Sequence, residues 1–387
     1  MKVGFVLPAI QKPSGWRTYA LGILKELSQH VEAILFVSAE EASAAKAAFP
    51  GLPIFSLPAT QGASLRSWRG AWRLWQTLRG VRALKLSLDL VHSLEAYPTG
   101  LVGHWLAAQC ACPHILTAHG TYGVVWVTSF FDRLFYRRVL RSAAHLCPVS
   151  QATAQRMKHS FGEVLTAVPI TPVLNGNDFY QRIPAQVTLE RRLPETPNLL
   201  SVGEVKARKG YHVSLQVFAR LQKEIPSARY EIVGFYPQNA YTRSLEAMLR
   251  EHGLAGVTFH GEVSQAELDR LYQQASIFIL APQDGGGANR LNFEGFGLVY
   301  LEAGAYGLPV IATDCGGVSE AVHNGETGFV FPQGDVEGMA QAAYRLLTDE
   351  ALNLHLGKAN RRWAETLTWA RTAEQVLTIY QKVAGER

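Results

Sequence analysis

Residues able to do chemistry gather most densely in one stretch, Glu294-Gly-Phe-Gly-Leu-Val-Tyr-Leu-Glu302-Ala-Gly-Ala-Tyr-Gly-Leu-Pro309. Two carboxylates with seven residues between them flank a glycine-punctuated turn that runs into a short apolar helix closed by Gly307 and Pro309. Gly295 and Gly297 leave the backbone open before Leu298 begins the apolar run, so the segment reads as a loop entering a helix N-terminus. Amides there point outward with the positive end of the helix dipole, which suits a phosphate. Glu294 at the mouth and Glu302 about one turn into the helix would repel that phosphate. They are better placed to accept hydrogen bonds from sugar hydroxyls on either side of it, which predicts a nucleotide-sugar pocket. The competing reading is an ordinary amphipathic helix with a solvated glutamate at each end, and the surrounding residues have to decide between the two.

Short apolar runs rich in Val, Ile and Leu alternate with longer helical patterns along the whole chain, as βαβ units of a parallel sheet do. The first half offers strands at Val3–Leu7, Ile34–Val37, Ile54–Leu57, Leu90–His92, Ile115–Thr117, Leu146–Val149 and, more weakly, Thr166–Val168. The pattern restarts with Leu199–Val202, Tyr230–Val233, Val257–Phe259, Ile277–Leu280, Val310–Ala312 and Phe329–Phe331. Two α/β domains with doubly wound parallel sheets facing a cleft are therefore expected. The first covers 1–176, a proline-rich linker 177–197 and the second domain 198–367. A helix over 368–387, apolar at Ala373, Val376, Tyr380 and Val383, would cross back to the first domain. Open parallel sheets bind ligands beyond the carboxyl ends of their strands. The distinctive loops do lie there: Pro13–Tyr19, His119-Gly120, Gly203–Gly210, Gly234–Pro237 and Pro282–Arg290.

At 387 residues and 48% hydrophobic, the chain has material for two cores. No apolar run approaches the ~18 to 20 residues of a membrane span, and the start reads as a buried strand, not a signal peptide, so a cytoplasmic location is expected. Cys110, Cys112, Cys147 and Cys315 form neither a disulfide framework nor paired zinc spacing. Cys110 and Cys112 read as buried, reduced thiols. The net charge of +5 is too diffuse for nucleic acid but suits anionic substrates or surfaces.

With these residues in place, the chain resembles the retaining GT-B glycosyltransferases, a large family of mannosyl-, glucosyl- and galactosyltransferases and sucrose-phosphate synthases. Glu294-Gly-Phe-Gly-Leu, Glu302-Ala, Gly307-Leu-Pro-Val-Ile-Ala-Thr, Gly316-Gly317, Glu320 and Gly325-Glu-Thr-Gly328 carry the likeness. Lys209-Gly210, Asn175-Gly176, Asp178, Ser150, His119-Gly120 and Gly15 with Tyr19 extend it. The resemblance implies two Rossmann-like domains. It makes Lys209 a ligand of the donor pyrophosphate, Glu302 an acceptor from the ribose hydroxyls, and the backbone of Phe296, Gly297 and Leu298 a seat for phosphates and sugar. Glu294 and His119 would contact the sugar itself, and Gly15 would lie under the phosphates.

The resemblance implies no cofactor beyond a UDP- or GDP-linked sugar, no metal, and transfer to a glycan, a lipid-linked or a small-molecule hydroxyl. The absence of an Asp-x-Asp motif agrees. Three departures stand out. Glu204 replaces the family's usual arginine, so Lys206 or Arg208 would have to supply the second cation. Ser14-Gly15 replaces a pair of glycines. Asp284–Asn292 is long and glycine-rich, either a flap over the site or a plain surface insertion.

On the acceptor side, Trp68, Trp72 and Trp75 share one helical face, and residues 66 to 85 hold six Arg or Lys and no acid. Phe130–Arg138 repeats the mixture. Such segments either lie on an anionic membrane surface, with peripheral attachment and a lipid-linked acceptor, or pack their tryptophans onto the sheet. Two other functional classes remain open at this stage: a nucleotide-sugar-binding subunit without turnover, and a non-transfer enzyme such as an epimerase.

Overall fold

The computed structural model describes residues 1–60, 68–124, 130–184, 193–285 and 292–385. The chain forms two compact units, Met1–Gly176 together with Thr368–Arg387, and Asn177–Leu367.

In the first unit six parallel strands stand in the order β3-β2-β1-β4-β5-β6. They are β1 Lys2–Val6, β2 Glu32–Ser38, β3 Ile54–Leu57, β4 Leu90–Ser93, β5 His114–Ala118 and β6 His145–Pro148. The order reverses between β1 and β4, the point where an open sheet leaves a crevice beyond its strand ends. Helices α1 Gly15–Leu27 and α2 Ala42–Ala48 follow β1 and β2; α3 Trp68–Ala83, α4 Thr99–Cys110, the short α5 Thr121–Val124 and α6 Phe130–Ser142 follow the next three strands. Right-handed crossovers put the two groups on opposite faces, and α4 packs between α3 and α6.

The weak strand expected at Thr166–Val168 does not form. Helix α7, Gln151–Leu165, runs up to it, and Met157, Phe161, Val164, Leu165 and Val168 bury at helical spacing. Only an isolated bridge between Leu146 and Ile170 follows.

Contrary to the expectation of buried thiols, Cys110 and Cys112 are half-buried, whereas Cys147 and Cys315 are buried; all four are free. Helix α4 ends at Cys110 and Ala111 turns left-handed at φ 49°, which swings the pair to the edge of the core.

The second unit repeats the plan with order β12-β11-β10-β7-β8-β9: β7 Asn198–Val202, β8 Arg229–Val233, β9 Val257–Gly261, β10 Ile277–Leu280, β11 Val310–Thr313 and β12 Gly328–Phe331. Its switch point lies between β7 and β10. Helices α8 Tyr211–Glu224, α9 Ala240–Glu251, α10 Gln265–Gln274, α11 Leu298–Ala305, α12 Val318–Ala321, α13 Val336–Thr348 and α14 Glu350–Thr366 complete it. Of the segment expected to be a linker, Phe179–Arg182 is a short 3-10 turn tied to this unit: Arg361 donates to the carbonyls of Tyr180 (3.0 Å) and Ile183 (3.2 Å).

The last helix, α15 Trp369–Gly385, belongs to the first unit and packs on α1 through Trp369, Ala373, Val376 and Tyr380. Its Tyr380 hydroxyl meets His92 Nδ1 at 2.6 Å, His92 Nε2 meets Thr117 Oγ1 at 2.9 Å, and Tyr19 meets the same Oγ1 at 3.3 Å. This buried network fixes α15 against β4 and β5, and burial pushes the His92 pKa down to about 3, so the ring is neutral.

Candidate active site

Two loops flank the switch point of the second sheet, one after β7 and one after β10. The first, Gly203–Gly210, buries Val205 and winds Ala207–Lys209 into a 3-10 turn. Gly210 closes it at φ +72°, and a Cβ there would come within 1.6 Å of the Ala281 carbonyl oxygen just past β10. Only glycine lets the turn lie directly on that backbone. The Gln283 amide donates to the Arg208 carbonyl at 2.8 Å and joins the two loops.

This contact delivers two cations to one carboxylate. Lys209 Nζ and Arg208 NH1 each stand 2.8 Å from Glu294 Oε2, and Arg208 also reaches the Phe293 carbonyl at 3.1 Å. Glu294 is 8% exposed and Lys209 9%. Gly317 donates to the Glu294 carbonyl at 2.9 Å and pins its backbone. Burial raises the Glu294 pKa, but the charges of Lys209 and Arg208 reverse this and hold it at about 2. Burial also lowers the Lys209 pKa; Glu294 opposes this and Arg208 adds to it. By formal charge the cluster of Arg208, Lys209 and Glu294 is net positive, a fit to an anion.

Lys206 acts on Lys209 by its charge but is bonded elsewhere. It pairs with Glu204, and both side chains are partly exposed. Of the two cations proposed from the sequence to offset Glu204, Arg208 is the one beside Lys209.

Helix α11 begins where that charge sits. Ser14, Ser150, Asn239 and Ser264 close the starts of α1, α7, α9 and α10 with side-chain hydrogen bonds, but α11 starts at Gly297, φ +93°, with no side-chain cap. A Cβ at Gly297 would lie 2.5 Å from the Tyr300 ring. Phe296 is buried and Leu298 half-buried. A helix start without a side-chain cap is of the kind that suits an anion.

Glu302, on the second turn of α11, has different company. Tyr272 donates to its Oε2 at 3.1 Å, and Tyr272 stacks on Tyr306 with ring centroids 4.7 Å apart. Burial raises its pKa to about 7; Tyr272 and the charge of Arg182 pull the other way. Nothing in the sequence pattern singled out Tyr272, which lies on α10.

In the first unit His119 follows β5. Its Nε2 bonds the Leu94 carbonyl at 3.0 Å, its ring packs edge-on to Tyr19 at 4.3 Å, and burial lowers its pKa to about 4. The neutral ring therefore donates from Nε2 and presents Nδ1 as an acceptor. Gly15 is exposed as the first residue of α1, and a Cβ there meets nothing within 4 Å. The sequence reading passed over a third residue, Glu95, the second residue beyond β4 and 0% exposed. A carboxylate directly after a strand at a sheet's switch point is the signal that could have found it. Most of the glycine-rich approach to Glu294 lies outside the described residues. Among those described, no group of three or more His, Cys, Asp or Glu is placed to hold a metal.

Two Rossmann-like units, each a six-stranded parallel sheet with its own switch point, have the plan of the GT-B fold. The model for "Glycosyl transferases group 1" matches residues 190–363 and that for "Glycosyl transferase 4-like domain" residues 14–176, and the chain belongs to the group 1 glycosyl transferases. Among its relatives is the GDP-mannose-dependent alpha-(1-6)-phosphatidylinositol monomannoside mannosyltransferase of Mycolicibacterium smegmatis, 29% identical over 272 residues, 70% of each chain. The glycogen synthase of Mycobacterium tuberculosis is 28% identical over 348 residues, 85% of this chain and 78% of the relative. The fold is that of Anabaena HepE in complex with UDP-glucose (TM-score 0.75, 16% identity, 99% of this chain and 100% of that one). Sucrose-phosphate synthase from Thermosynechococcus elongatus shares it as well (TM-score 0.72, 22% identity, all of both chains).

Proposed function

We propose that the chain transfers a hexosyl group from a nucleoside diphosphate sugar to an acceptor hydroxyl with retention at the anomeric carbon and without a metal. The observation that carries this reading is the junction of Arg208, Lys209 and Glu294 beside the uncapped start of α11. The bond from the anomeric carbon to the pyrophosphate oxygen breaks, and Lys209, Arg208 and the amides around Gly297 and Leu298 stabilise the charge that collects on the leaving phosphate. The acceptor oxygen bonds to the anomeric carbon on the same face, and its proton passes to the departing phosphate oxygen. Glu294 orients sugar hydroxyls and spaces the two cations. Glu302 takes the ribose diol, and His119 contacts the transferred sugar as the family resemblance implies.

Incubating the full chain with a panel of UDP- and GDP-sugars, with and without acceptor glycans and lipids, tests this reading. Acceptor-dependent release of the nucleoside diphosphate and an anomerically retained product are expected. Binding without release would favour a non-catalytic subunit, and sugar isomerisation without release an epimerase.

The acceptor is best read as membrane-borne. On α3 the inward positions go to Gly70, Leu74, Thr77 and Val81, leaving Trp68, Trp72 and Trp75 exposed at 76%, 52% and 45% instead of packed on the sheet. Arg69, Arg73, Arg79 and Arg82 accompany them. Helix α6 exposes Phe131, Leu134 and Phe135 among four arginines, with its one acid, Asp132, buried. Aromatic and arginine side chains in this combination suit an anionic lipid surface. Among the described residues no helix is long and apolar enough to cross a membrane, so attachment would be peripheral. Flotation with phosphatidylglycerol vesicles but not with phosphatidylcholine alone is the expected result; flotation with neither removes the lipid surface from the proposal.

A further inference from the structure

We propose that Glu95 is a positioning residue of the transfer reaction, a buried carboxyl that holds His119 and the Trp16 turn in register at the switch point of the first sheet. The inference rests on the reading of His119 as a group that contacts the donor sugar. It adds a residue that neither the sequence pattern nor the family resemblance had marked.

Three loops meet at this carboxyl. Glu95 lies in the loop after β4, its Oε1 accepts the Ala96 amide at 2.7 Å, and the residue is fully buried. The backbone amide of His119, from the loop after β5, and the indole N–H of Trp16, from the first turn of α1 after β1, face the same carboxyl, as does the amide of Tyr97. Strands β1 and β4 are the neighbours across which the strand order reverses, and β5 pairs with β4 on the other side. These are the strand ends where an open sheet places its ligand.

Among the described residues, the titratable groups around Glu95 include His119, Tyr19 and Tyr136, all neutral near pH 7. No cation of the kind that steadies Glu294 is among the groups that shift it. Oε2 is buried and completes no hydrogen bond among the described residues. A carboxyl kept this deep without an ion-pair partner is a poor device for stability. It makes sense as a fixed acceptor that aims loops. The same loop carries Leu94, whose carbonyl accepts a hydrogen bond from His119 Nε2. The Leu94 carbonyl thus holds the His119 ring while Glu95, the next residue, faces the His119 backbone amide, and the Leu94 contact selects the tautomer that leaves Nδ1 as the acceptor.

The test uses the full chain with whichever of UDP-glucose or GDP-mannose it turns over. Glu95→Ala should lower kcat by tenfold or more, with nucleotide affinity, measured on the free nucleoside diphosphate, within twofold of wild type. Glu95→Gln keeps an oxygen acceptor in the same place and should return kcat to within about threefold. The decisive measurement is the double variant with His119→Ala. If Glu95 acts through His119, the two losses do not add, and the pair costs little more than His119→Ala alone. Additive losses, or a Glu95→Ala variant with unchanged kcat, would overturn the proposal. If Glu95→Ala does not fold, the Gln variant decides: a tenfold loss there with a normal melting curve also overturns it. Should the wild-type chain turn over no nucleotide sugar, the failure belongs to the functional reading and not to Glu95.

Discussion

Replacing Lys209 with methionine removes one charge from the cluster and nearly preserves side-chain volume. Arg208, Lys209 and Glu294 together carry one net positive charge, so Lys209→Met brings the cluster to neutrality. A unit charge about 5 Å from a pyrophosphate oxygen, at an effective dielectric of about 20, is worth about 3 kcal/mol, roughly a hundredfold in Kd. Loss of a charge that stabilises the leaving group should also lower kcat by about a hundredfold or more.

The effect on stability should be smaller. Removing one partner of a buried pair costs about 3–5 kcal/mol when the other is orphaned, but Glu294 keeps Arg208 on the same oxygen at 2.8 Å. About 1–2 kcal/mol is then expected, a fall in melting temperature of about 3–8 °C. Calorimetric titration with the nucleotide sugar, steady-state turnover and a thermal melt give the three numbers. Lys206→Met, which breaks the pair with Glu204 but leaves both hydrogen bonds to Glu294 in place, is the control and should change all three far less than Lys209→Met. A Lys209→Met protein that melts lower yet binds and turns over normally would make the lysine a structural partner of Glu294 and refute the pocket.

Gly210→Ala should abolish nucleotide binding and cost several kcal/mol, because the added Cβ meets the Ala281 carbonyl at 1.6 Å in a left-handed backbone; chemical denaturation reads it. Glu302 titrates at about 7 in the free protein, and the ribose diol donates best to the ionised form, so affinity for a nucleotide sugar should rise as pH goes from 6 to 8. Glu302→Gln should flatten that profile. Glu95 is raised by burial from 4.5 to about 8. Its native state holds a proton that the unfolded chain releases, so the stability it contributes is full below pH 4.5 and is lost as pH rises through 8. On the order of 3–5 kcal/mol should disappear between these limits. Urea unfolding of Glu95→Gln should lack this fall, and an unchanged slope would mean that the carboxyl is ionised throughout.

The alternation of apolar runs and helical periods made the twelve strands of the two sheets legible almost to the residue, because parallel strands buried on both faces leave continuous Val, Ile and Leu runs. Thr166–Val168 misled for the same reason: a short apolar run looks alike on a strand and on the buried face of a helix end. The stretch from Glu294 to Pro309 declared an uncapped helix entry, since glycines and the absence of a capping side chain are local facts. Which cation stands beside Lys209 was not local. Lys206 and Arg208 are two residues apart, and the 3-10 turn closed by Gly210 directs one to Glu204 and the other to Glu294.

Tyr272 and Glu95 were silent in the chain because their roles come from neighbours far away in sequence. Tyr272 meets a carboxylate thirty residues on, and Glu95 lies among three loop ends that only strand order brings together. The sequence by itself determined the layers, the crossovers and the uncapped helix start, all set by periodicity and by backbone chemistry within a few residues. Tertiary structure alone decided the ionisation of Glu294, Glu302 and Glu95. The same side chain titrates at about 2, 7 and 8 according to how deeply it is buried and whether a cation is buried with it.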